Sequence, residues 1–170
     1  PSSNRRQRQI CIRDSHNISN AAATFALTSH IGISTSLIKK SLKDFQGVER
    51  RFNKVFEFNG VTFFDDYAHH PTEIKEVLNG VKKSFFNKKV ISIFQPHRIS
   101  RLNDLSNDFS KSFKNSDQVL LCPVYKAGEK IKLKFKYKKF ARDISKNSKA
   151  LVIMVNQKQD LVNFFKNNLK

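Results

Sequence analysis

Residues 90–101 read VISIFQPHRISR, a continuous apolar run that leads into a polar loop with two arginines. Three other apolar runs occur, at 61–64 (VTFF), 119–122 (VLLC) and 150–155 (ALVIMV). Their starts lie about 30 residues apart, which is the length of a β-α-β unit. Because continuous apolar runs are typical of strands buried on both faces, the pattern predicts an α/β fold with a doubly wound, mostly parallel sheet.

Apolar residues at helical spacing fill the segments between and before these runs. Pro71 stands where the first residue of a helix would, and Gly32 separates two helical stretches near the start of the chain. Helices are predicted at residues 16–30, 34–43, 71–85, 102–113 and 161–169.

Two segments carry strand signals of a different kind. Asn59-Gly60 separates two apolar stretches and predicts a β-hairpin, since both residues of such a turn need positive φ angles. Residues 132–138 alternate Lys with Leu, Phe and Tyr. This alternation favours an edge strand with one solvated, lysine-lined face, and the alternative is an anion-binding groove.

The formal net charge of +18 is the main compositional feature. It is compatible with a protein that binds nucleic acid or another polyanion. However, the basic residues are mostly Lys and accompany many Asn and Phe, as an A/T-rich genome would produce. Phosphate binding would favour Arg, so we attribute most of the charge to codon bias.

The sequence also bears on the compartment and on several enzyme classes. No run approaches the about 18 apolar residues of a membrane span, and the first residues lack the apolar stretch of a signal peptide. Two Cys cannot form a disulfide framework, which favours a reducing, cytosolic setting. There is no GxGxxG, GxxxxGKS/T, GxSxG or CxxC motif, so this chain alone is not expected to hydrolyse ATP.

Polar residues cluster in the loops that follow three of the predicted strands, at 65–72, 95–101 and 123–129. Ligands of a doubly wound sheet bind beyond the carboxyl ends of its strands, so these loops are expected to converge on one rim. Arg98 and Arg101 lie three residues apart at a helix start. Their guanidinium groups and the free N–H groups of that helix predict an anion site for a carboxylate or a phosphate.

The first of these loops leaves alternatives open. Asp65 and Asp66 could accept hydrogen bonds from ribose hydroxyls or hold Mg²⁺. His69, His70 and His97 could instead form a metal site with the two aspartates, which is less favoured because adjacent histidines point in different directions. The structural alternative is that each histidine only braces its loop and that the two arginines form a surface pair.

Five motifs occur in order along the chain: HNISNAAA (16–23), FQGVERRF (45–52), DDYAHHPTE (65–73), FQPHRISR (94–101) and VYKAGE (124–129). In this set the chain resembles the C-terminal part of the Mur ligases. DDYAHHPTE together with FQPHR resembles the alanine-adding branch of that family. The resemblance implies a Rossmann-like C-terminal domain preceded by a short helical piece of the central domain.

The resemblance implies a cytoplasmic enzyme of peptidoglycan precursor synthesis that depends on ATP and Mg²⁺. Such a ligase joins L-alanine to UDP-N-acetylmuramate through an acyl phosphate, and the developing negative charge demands preorganised cations. ATP, L-alanine and UDP-N-acetylmuramate are the implied ligands, without nucleic acid or membrane. The Mg²⁺ ligands are expected outside this chain, and no metal-binding residue is assigned within it.

The resemblance also implies roles for single residues on the nucleotide. Asn20 matches the residue on the adenine side, and Arg51 matches the arginine that reaches the ATP phosphates. Asp66 matches the aspartate that holds the ribose. All three are therefore predicted to bind the nucleotide.

Four other residues are assigned to the substrate. His69, Arg98 and Arg101 match positions that meet the amino acid and the reacting phosphoryl or carboxylate end, and Tyr67 is assigned to substrate binding with them. Arg51, His69, Arg98 and Arg101 are the predicted catalytic residues.

The resemblance divides the chain near its turn-rich segment FQGVERRF. Residues 1–44 match the helical tail of a central ATP-binding domain, and residues 45–170 match the C-terminal domain without its last strand. We therefore expect a fragment that is inactive alone. The alternatives are a stand-alone basic module that binds nucleic acid, and a Mur ligase that adds a different amino acid.

Overall fold

The computed structural model describes residues 15–45, 51–130 and 135–169. These residues form two compact units. The first unit contains residues 15–45, 51–56 and 62–67, and the second contains residues 57–61, 68–130 and 135–169. The predicted domain boundary after residue 44 stays a prediction, and residues 1–14 lie outside the described residues.

Two helices, α1 (Ser15–His30) and α2 (Thr35–Asp44), open the described part of the chain. They confirm the two helices predicted for this segment. Gly32 follows α1 with a φ angle of 88°, in the left-handed region that favours glycine. Of the residues of α2, Ile38 is buried.

A two-stranded sheet follows, formed by β1 (Asn53–Phe58) and β2 (Val61–Asp65). Asn59 and Gly60 connect the strands with φ angles of 46° and 73°. Two consecutive positive φ angles match the twist of a tight hairpin, and Asn and Gly tolerate them best. The predicted hairpin is confirmed.

Ring stacking explains why β2 is apolar along most of its length. Phe64 stacks on Phe52 with centroids 4.3 Å apart, and Phe63 stacks on Phe56 at 4.2 Å. Since successive side chains of a strand point to opposite faces, each face of the hairpin carries one stacked pair. We expected this apolar run to be a strand of the parallel sheet, and that expectation is wrong, because β2 pairs with β1 instead.

The second unit contains a parallel sheet of β3 (Ile91–Phe94), β4 (Gln118–Leu121) and β5 (Leu151–Met154), in that order. The register aligns the first residues of all three strands and, likewise, the last. The carboxyl ends of the strands therefore reach one edge of the sheet together. The loops that follow β3 and β4 begin at that edge.

Helices cover both faces of this sheet. They are α3 (Pro71–Ser84), α4 (Ile99–Asp104), α5 (Ser106–Lys111), α6 (Tyr137–Ser148) and α7 (Lys158–Asn168). Val119 and Leu121 of β4 share one buried cluster with residues of α3, α4, α5 and α6. Leu120, on the opposite face, belongs to a second cluster that packs against α7. The predicted α/β fold, with a parallel sheet buried on both faces, is confirmed.

The helix predicted at 102–113 is divided into α4 and α5. The division falls at Leu105, whose φ and ψ angles of −111° and 17° leave the helical region. None of the helices in the described ranges is both long and apolar enough to cross a membrane.

The edge strand predicted at 132–138 is wrong at its C-terminal end. Tyr137 and Lys138 begin α6, and residues 131–134 lie outside the described residues. From Tyr137 onward, Phe140 and Ile144 follow at helical spacing, and both are buried in the first cluster. Burial of this helical stripe outweighs the alternation that precedes it.

A buried hydrogen-bond network joins α5 to α6. The Ser148 hydroxyl donates to the Ser110 carbonyl oxygen at 2.6 Å and accepts from the Phe113 N–H at 3.2 Å. Asn147 Nδ2 donates to the Ser110 hydroxyl at 2.7 Å. Ser110 and Ser148 are both buried, so the bonds of this network are costly to lose.

Ser148→Ala is expected to lower the free energy of unfolding by about 1–3 kcal/mol, because it leaves the Phe113 N–H without an acceptor. Ser145→Ala, at an exposed position of the same helix, is the control and should change it by less than about 0.5 kcal/mol. Urea unfolding followed by circular dichroism measures both. Equal losses in the two variants would contradict the role of the network.

Candidate functional site

The loops that follow β3 and β4 lie side by side. His97 pairs with Tyr125 in a parallel β-bridge. The Tyr125 N–H donates to the Pro96 carbonyl oxygen at 2.8 Å, and the Arg98 N–H donates to the Tyr125 carbonyl oxygen at 2.8 Å. The bridge extends the pairing of the two strands into the loops, so their predicted convergence is confirmed.

Positive φ angles shape both loops. Arg98 has φ 68° and ψ 131°, a combination that L residues rarely adopt. Ala127 and Gly128 have φ angles of 50° and 79°. Their turn is closed by a hydrogen bond of 3.0 Å from the Glu129 N–H to the Lys126 carbonyl oxygen. The turn directs Glu129 back toward the start of α4.

The Glu129 carboxylate caps the first turn of α4. Its Oε2 accepts from the Ile99 N–H at 2.7 Å and from the Ser100 N–H at 3.3 Å, and its Oε1 accepts from the Ser100 hydroxyl. The Ser100 hydroxyl, helped by the two N–H groups and the charge of Arg98, lowers the pKa of Glu129 against the opposing effect of burial.

This cap corrects one part of the predicted anion site. We expected free N–H groups at the helix start to act together with Arg98 and Arg101. That expectation is wrong for the first two N–H groups of α4, because Glu129 already accepts from both. Of the predicted anion site, the arginine side chains remain as a prediction.

Glu73 organises the two histidines that precede α3. Its Oε2 accepts from the backbone N–H groups of His69 at 3.0 Å and His70 at 3.2 Å, and it lies 3.5 Å from His69 Nδ1. His70 Nδ1 in turn accepts from the Thr72 N–H at 3.4 Å, which completes a capping box. His70 therefore caps the helix. This agrees with the alternative that the histidine has a structural role in its loop.

His97 is the meeting point of the predicted site residues of the second unit. Its ring centroid lies 6.2 Å from that of His69 and 5.4 Å from that of Tyr125. Burial lowers the pKa of His97, and the charges of Arg101, Arg98 and His69 lower it further. The second unit thus brings three of the predicted residues together around a fourth side chain, a histidine that we had considered as a metal ligand or as a brace of its loop.

Two buried nitrogen atoms of this cluster, His97 Nδ1 and Arg101 Nη1, have no hydrogen-bond partner among the described residues. Buried polar atoms in proteins are nearly always paired. A guanidinium nitrogen can only donate, so the complement of Arg101 is an acceptor such as a carboxylate or phosphate oxygen. The donor set of the cluster therefore fits an anionic ligand.

The other predicted site residues belong to the first unit. Asn20 is exposed on α1, and Arg51 is exposed just before β1. Asp66 is half-buried and Tyr67 is exposed in the segment after β2. Their assigned roles stay predictions.

Metal ligation finds no geometric support. Among residues 15–45, 51–130 and 135–169, no group of three or more His, Cys, Asp or Glu side chains is arranged to hold a metal ion. Of the three histidines considered for such a site, His70 caps a helix and His97 faces arginines.

Sequence reasoning gave no role to Tyr125, Glu73 or Glu129. All three lie in motifs that we quoted, and the equal spacing of the strands already indicated that the loop with Glu129 would reach the rim. The missing information was the register of β3 and β4 and the turn at Ala127-Gly128. The register and the turn together determine which backbone N–H groups donate to the Glu129 carboxylate.

A model of the family described as Mur ligase, glutamate ligase domain, matches residues 50–169 of this chain. The chain belongs to the Mur ligase family. This Mur ligase chain is 59% identical over 154 residues to the UDP-N-acetylmuramate–L-alanine ligase of Pelagibacter ubique, covering 91% of the chain and 33% of that relative. It is 46% identical over 114 residues to the ligase of the same name from Brachyspira hyodysenteriae, covering 67% of the chain and 24% of the relative.

The crystal structure of UDP-N-acetylmuramate-alanine ligase MurC from Thermotoga maritima has the same fold. It superposes with a TM-score of 0.68 at 30% identity and covers 88% of this Mur ligase chain and 31% of its own. The chain therefore spans 24% to 33% of the length of these relatives. The alternative of a nucleic-acid-binding module has no support in them.

The imidazole of His97 is expected to titrate below its ordinary pKa of 6.5, measured by NMR titration of its ring protons. Arg101→Ala removes a nearby positive charge and should raise the pKa of His97, whereas Arg142→Ala on the exposed face of α6 should leave it unchanged. Because the unfolded chain binds this proton more readily, the stability that His97 contributes is lost as the pH falls below about 6.5. An unchanged pKa in Arg101→Ala would contradict the arrangement of the cluster.

Proposed function

We propose that this chain is part of an ATP-dependent ligase that joins L-alanine to UDP-N-acetylmuramate in peptidoglycan precursor synthesis. The observation that carries the proposal is the 59% identity, over 91% of the chain, to a protein named UDP-N-acetylmuramate–L-alanine ligase. The 30% identity to a solved ligase of that activity supports it. The chain would supply the part that binds the amino acid and part of the ATP.

The cluster around His97 is proposed to hold the reacting end of the substrates. Arg98 and Arg101 would bind carboxylate or phosphoryl oxygens through their planar guanidinium groups, and His69 would orient the amino acid. The buried Nη1 of Arg101 supports this role, because a ligand oxygen would supply the acceptor that it lacks. Cations fixed in advance stabilise the negative charge that develops in such a reaction.

The predicted residues of the first unit are proposed to meet the nucleotide and the substrate. Asn20 would bind the adenine through its amide, Asp66 the ribose hydroxyls through its carboxylate and Arg51 the phosphates through its guanidinium group. Tyr67 would contact the substrate. ATP supplies the phosphoryl group that activates the acceptor carboxylate, and Mg²⁺ would be held by residues outside this chain.

The domain assignment follows from the same proposal. Residues 1–44 would be the helical tail of a central ATP-binding domain, and residues 45–170 would be the C-terminal domain. The match to only 24% to 33% of each relative's length supports a chain that is inactive alone and acts within a larger cytoplasmic enzyme.

The complete enzyme is expected to release phosphate only when UDP-N-acetylmuramate, L-alanine, ATP and Mg²⁺ are all present. Omission of each component in turn, in a continuous phosphate assay, tests this requirement. Replacement of L-alanine by glycine, L-serine or D-glutamate tests the amino acid. Full activity with D-glutamate and none with L-alanine would contradict the proposal.

Arg98→Ala and Arg101→Ala in the complete enzyme are each expected to lower turnover by about 10²–10³-fold, the effect of losing one transition-state donor. Arg142→Ala is the control for the loss of an arginine at an exposed site, and it should retain the wild-type rate. Steady-state kinetics at saturating substrates measures all three. A loss below about threefold in both site variants would remove these residues from the reaction.

A further inference from the structure

We propose that Glu129 is a positioning residue for the amino-acid end of this site. Its carboxylate holds the backbone of residues 98–101 in one conformation. That conformation determines the positions of the Cα atoms from which the Arg98 and Arg101 side chains extend. Because those arginines matter only if the ligase function holds, this role rests on the proposed function. It concerns the VYKAGE segment, to which the resemblance attached no role.

The first observation is the backbone of Arg98. Its φ of 68° and ψ of 131° lie where L residues are rarely found. Such a conformation persists only when the surrounding structure holds it, and it gives the side chain a direction that an ordinary helix start would not. The position of the guanidinium group therefore depends on whatever fixes this one residue.

The second observation is that hydrogen bonds hold Arg98 from both sides. Its own N–H donates to the Tyr125 carbonyl oxygen at 2.8 Å, and the next N–H, that of Ile99, donates to Glu129 at 2.7 Å. Both acceptors come from the loop after β4. One bond is made by the backbone and would survive most substitutions, whereas the other depends on the Glu129 side chain.

The third observation is the rigidity of the cap. Besides Ile99, Glu129 accepts from the N–H and the hydroxyl of Ser100, so both carboxylate oxygens are engaged with two consecutive residues. Hydrogen bonds to an ionised carboxylate are roughly twice as strong as neutral ones. Arg101 is the next residue of the same short helix. A shift of the capped turn would therefore also shift the Cα atom of Arg101.

The fourth observation concerns charge. In the described part of the chain, no ion pair joins Glu129 to Arg98 or Arg101, although the charge of Arg98 acts on the carboxylate from a greater distance. Its oxygens are directed at the backbone and at Ser100. The glutamate thus holds the segment without neutralising either guanidinium group by direct contact, and both cations remain available to an anionic ligand.

The test uses the complete enzyme with Glu129→Ala and Glu129→Gln. The matched control is Asp160→Ala, since the Asp160 carboxylate also accepts from two consecutive backbone N–H groups at a helix start, those of Asn156 at 2.8 Å and Gln157 at 3.1 Å, but lies far from the arginines in sequence. Glu129→Ala is expected to raise the KM for L-alanine by about 10- to 100-fold, the effect of a displaced positioning group, and to lower kcat as well, because Arg98 and Arg101 also serve the transition state. Glu129→Gln keeps the length and one acceptor oxygen, so its KM should lie between those of wild type and Glu129→Ala.

The split between kinetic constants separates positioning from stability. If Glu129 only stabilised the fold, its loss would reduce the amount of active enzyme and lower the apparent kcat without changing either KM. We expect the KM for ATP to stay within about twofold in all variants, and Asp160→Ala to keep the wild-type KM for L-alanine. A KM for L-alanine within twofold of wild type in both Glu129 variants would overturn the proposal.

Hydrogen exchange tests the same role without a measurement of enzyme activity. In Glu129→Ala the amides of Ile99 and Ser100 should exchange at least about tenfold faster, while the Phe109 amide, which donates to the Leu105 carbonyl oxygen at 2.9 Å, should be unchanged. Unchanged exchange at Ile99 and Ser100 would overturn the positioning role. Faster exchange in Glu129→Ala, together with no L-alanine-dependent phosphate release by the wild-type enzyme, would instead overturn the ligase function.

Discussion

The β-bridge between His97 and Tyr125 extends the strand pairing of the parallel sheet into the candidate site, and the positions of the site residues depend on it. The aligned register of β3 and β4 delivers both loops to the same edge, and the bridge fixes how they run past each other. A slip of one residue would turn every side chain of the segment to the other face. His97 would then leave His69, and the backbone of Arg98 would lose its acceptor on Tyr125.

The charged side chains around this bridge differ in the groups that they contact. Burial makes the protonation of His97 less favourable and so lowers its pKa, and the charges of Arg101, Arg98 and His69 add to this effect. The carboxylates of Glu73 and Glu129 accept hydrogen bonds from backbone N–H groups. The positive character of the site therefore comes from a few arginines, and the many surface lysines are not needed to explain it.

Much of the fold could be predicted from periodicity, because strands and helices bury apolar residues at fixed spacing. Periodicity gave a wrong prediction where the same apolar pattern is compatible with two kinds of strand. The run Val61–Phe64 is as apolar as a buried parallel strand, yet it forms the stacked rings of a hairpin. Glu129 lay beyond such reasoning, since its contacts join residues about 30 positions apart and depend on register and on one turn.

The cap at the start of α3 has a consequence for the chemistry of His70. Since its Nδ1 accepts from the Thr72 N–H, the neutral ring must carry its proton on Nε2. The tautomer is thus set by the helix, and the outward nitrogen can only donate. The helix cap therefore occupies the one lone pair of the neutral His70 ring, which leaves this side chain able to offer a ligand a hydrogen-bond donor but not an acceptor.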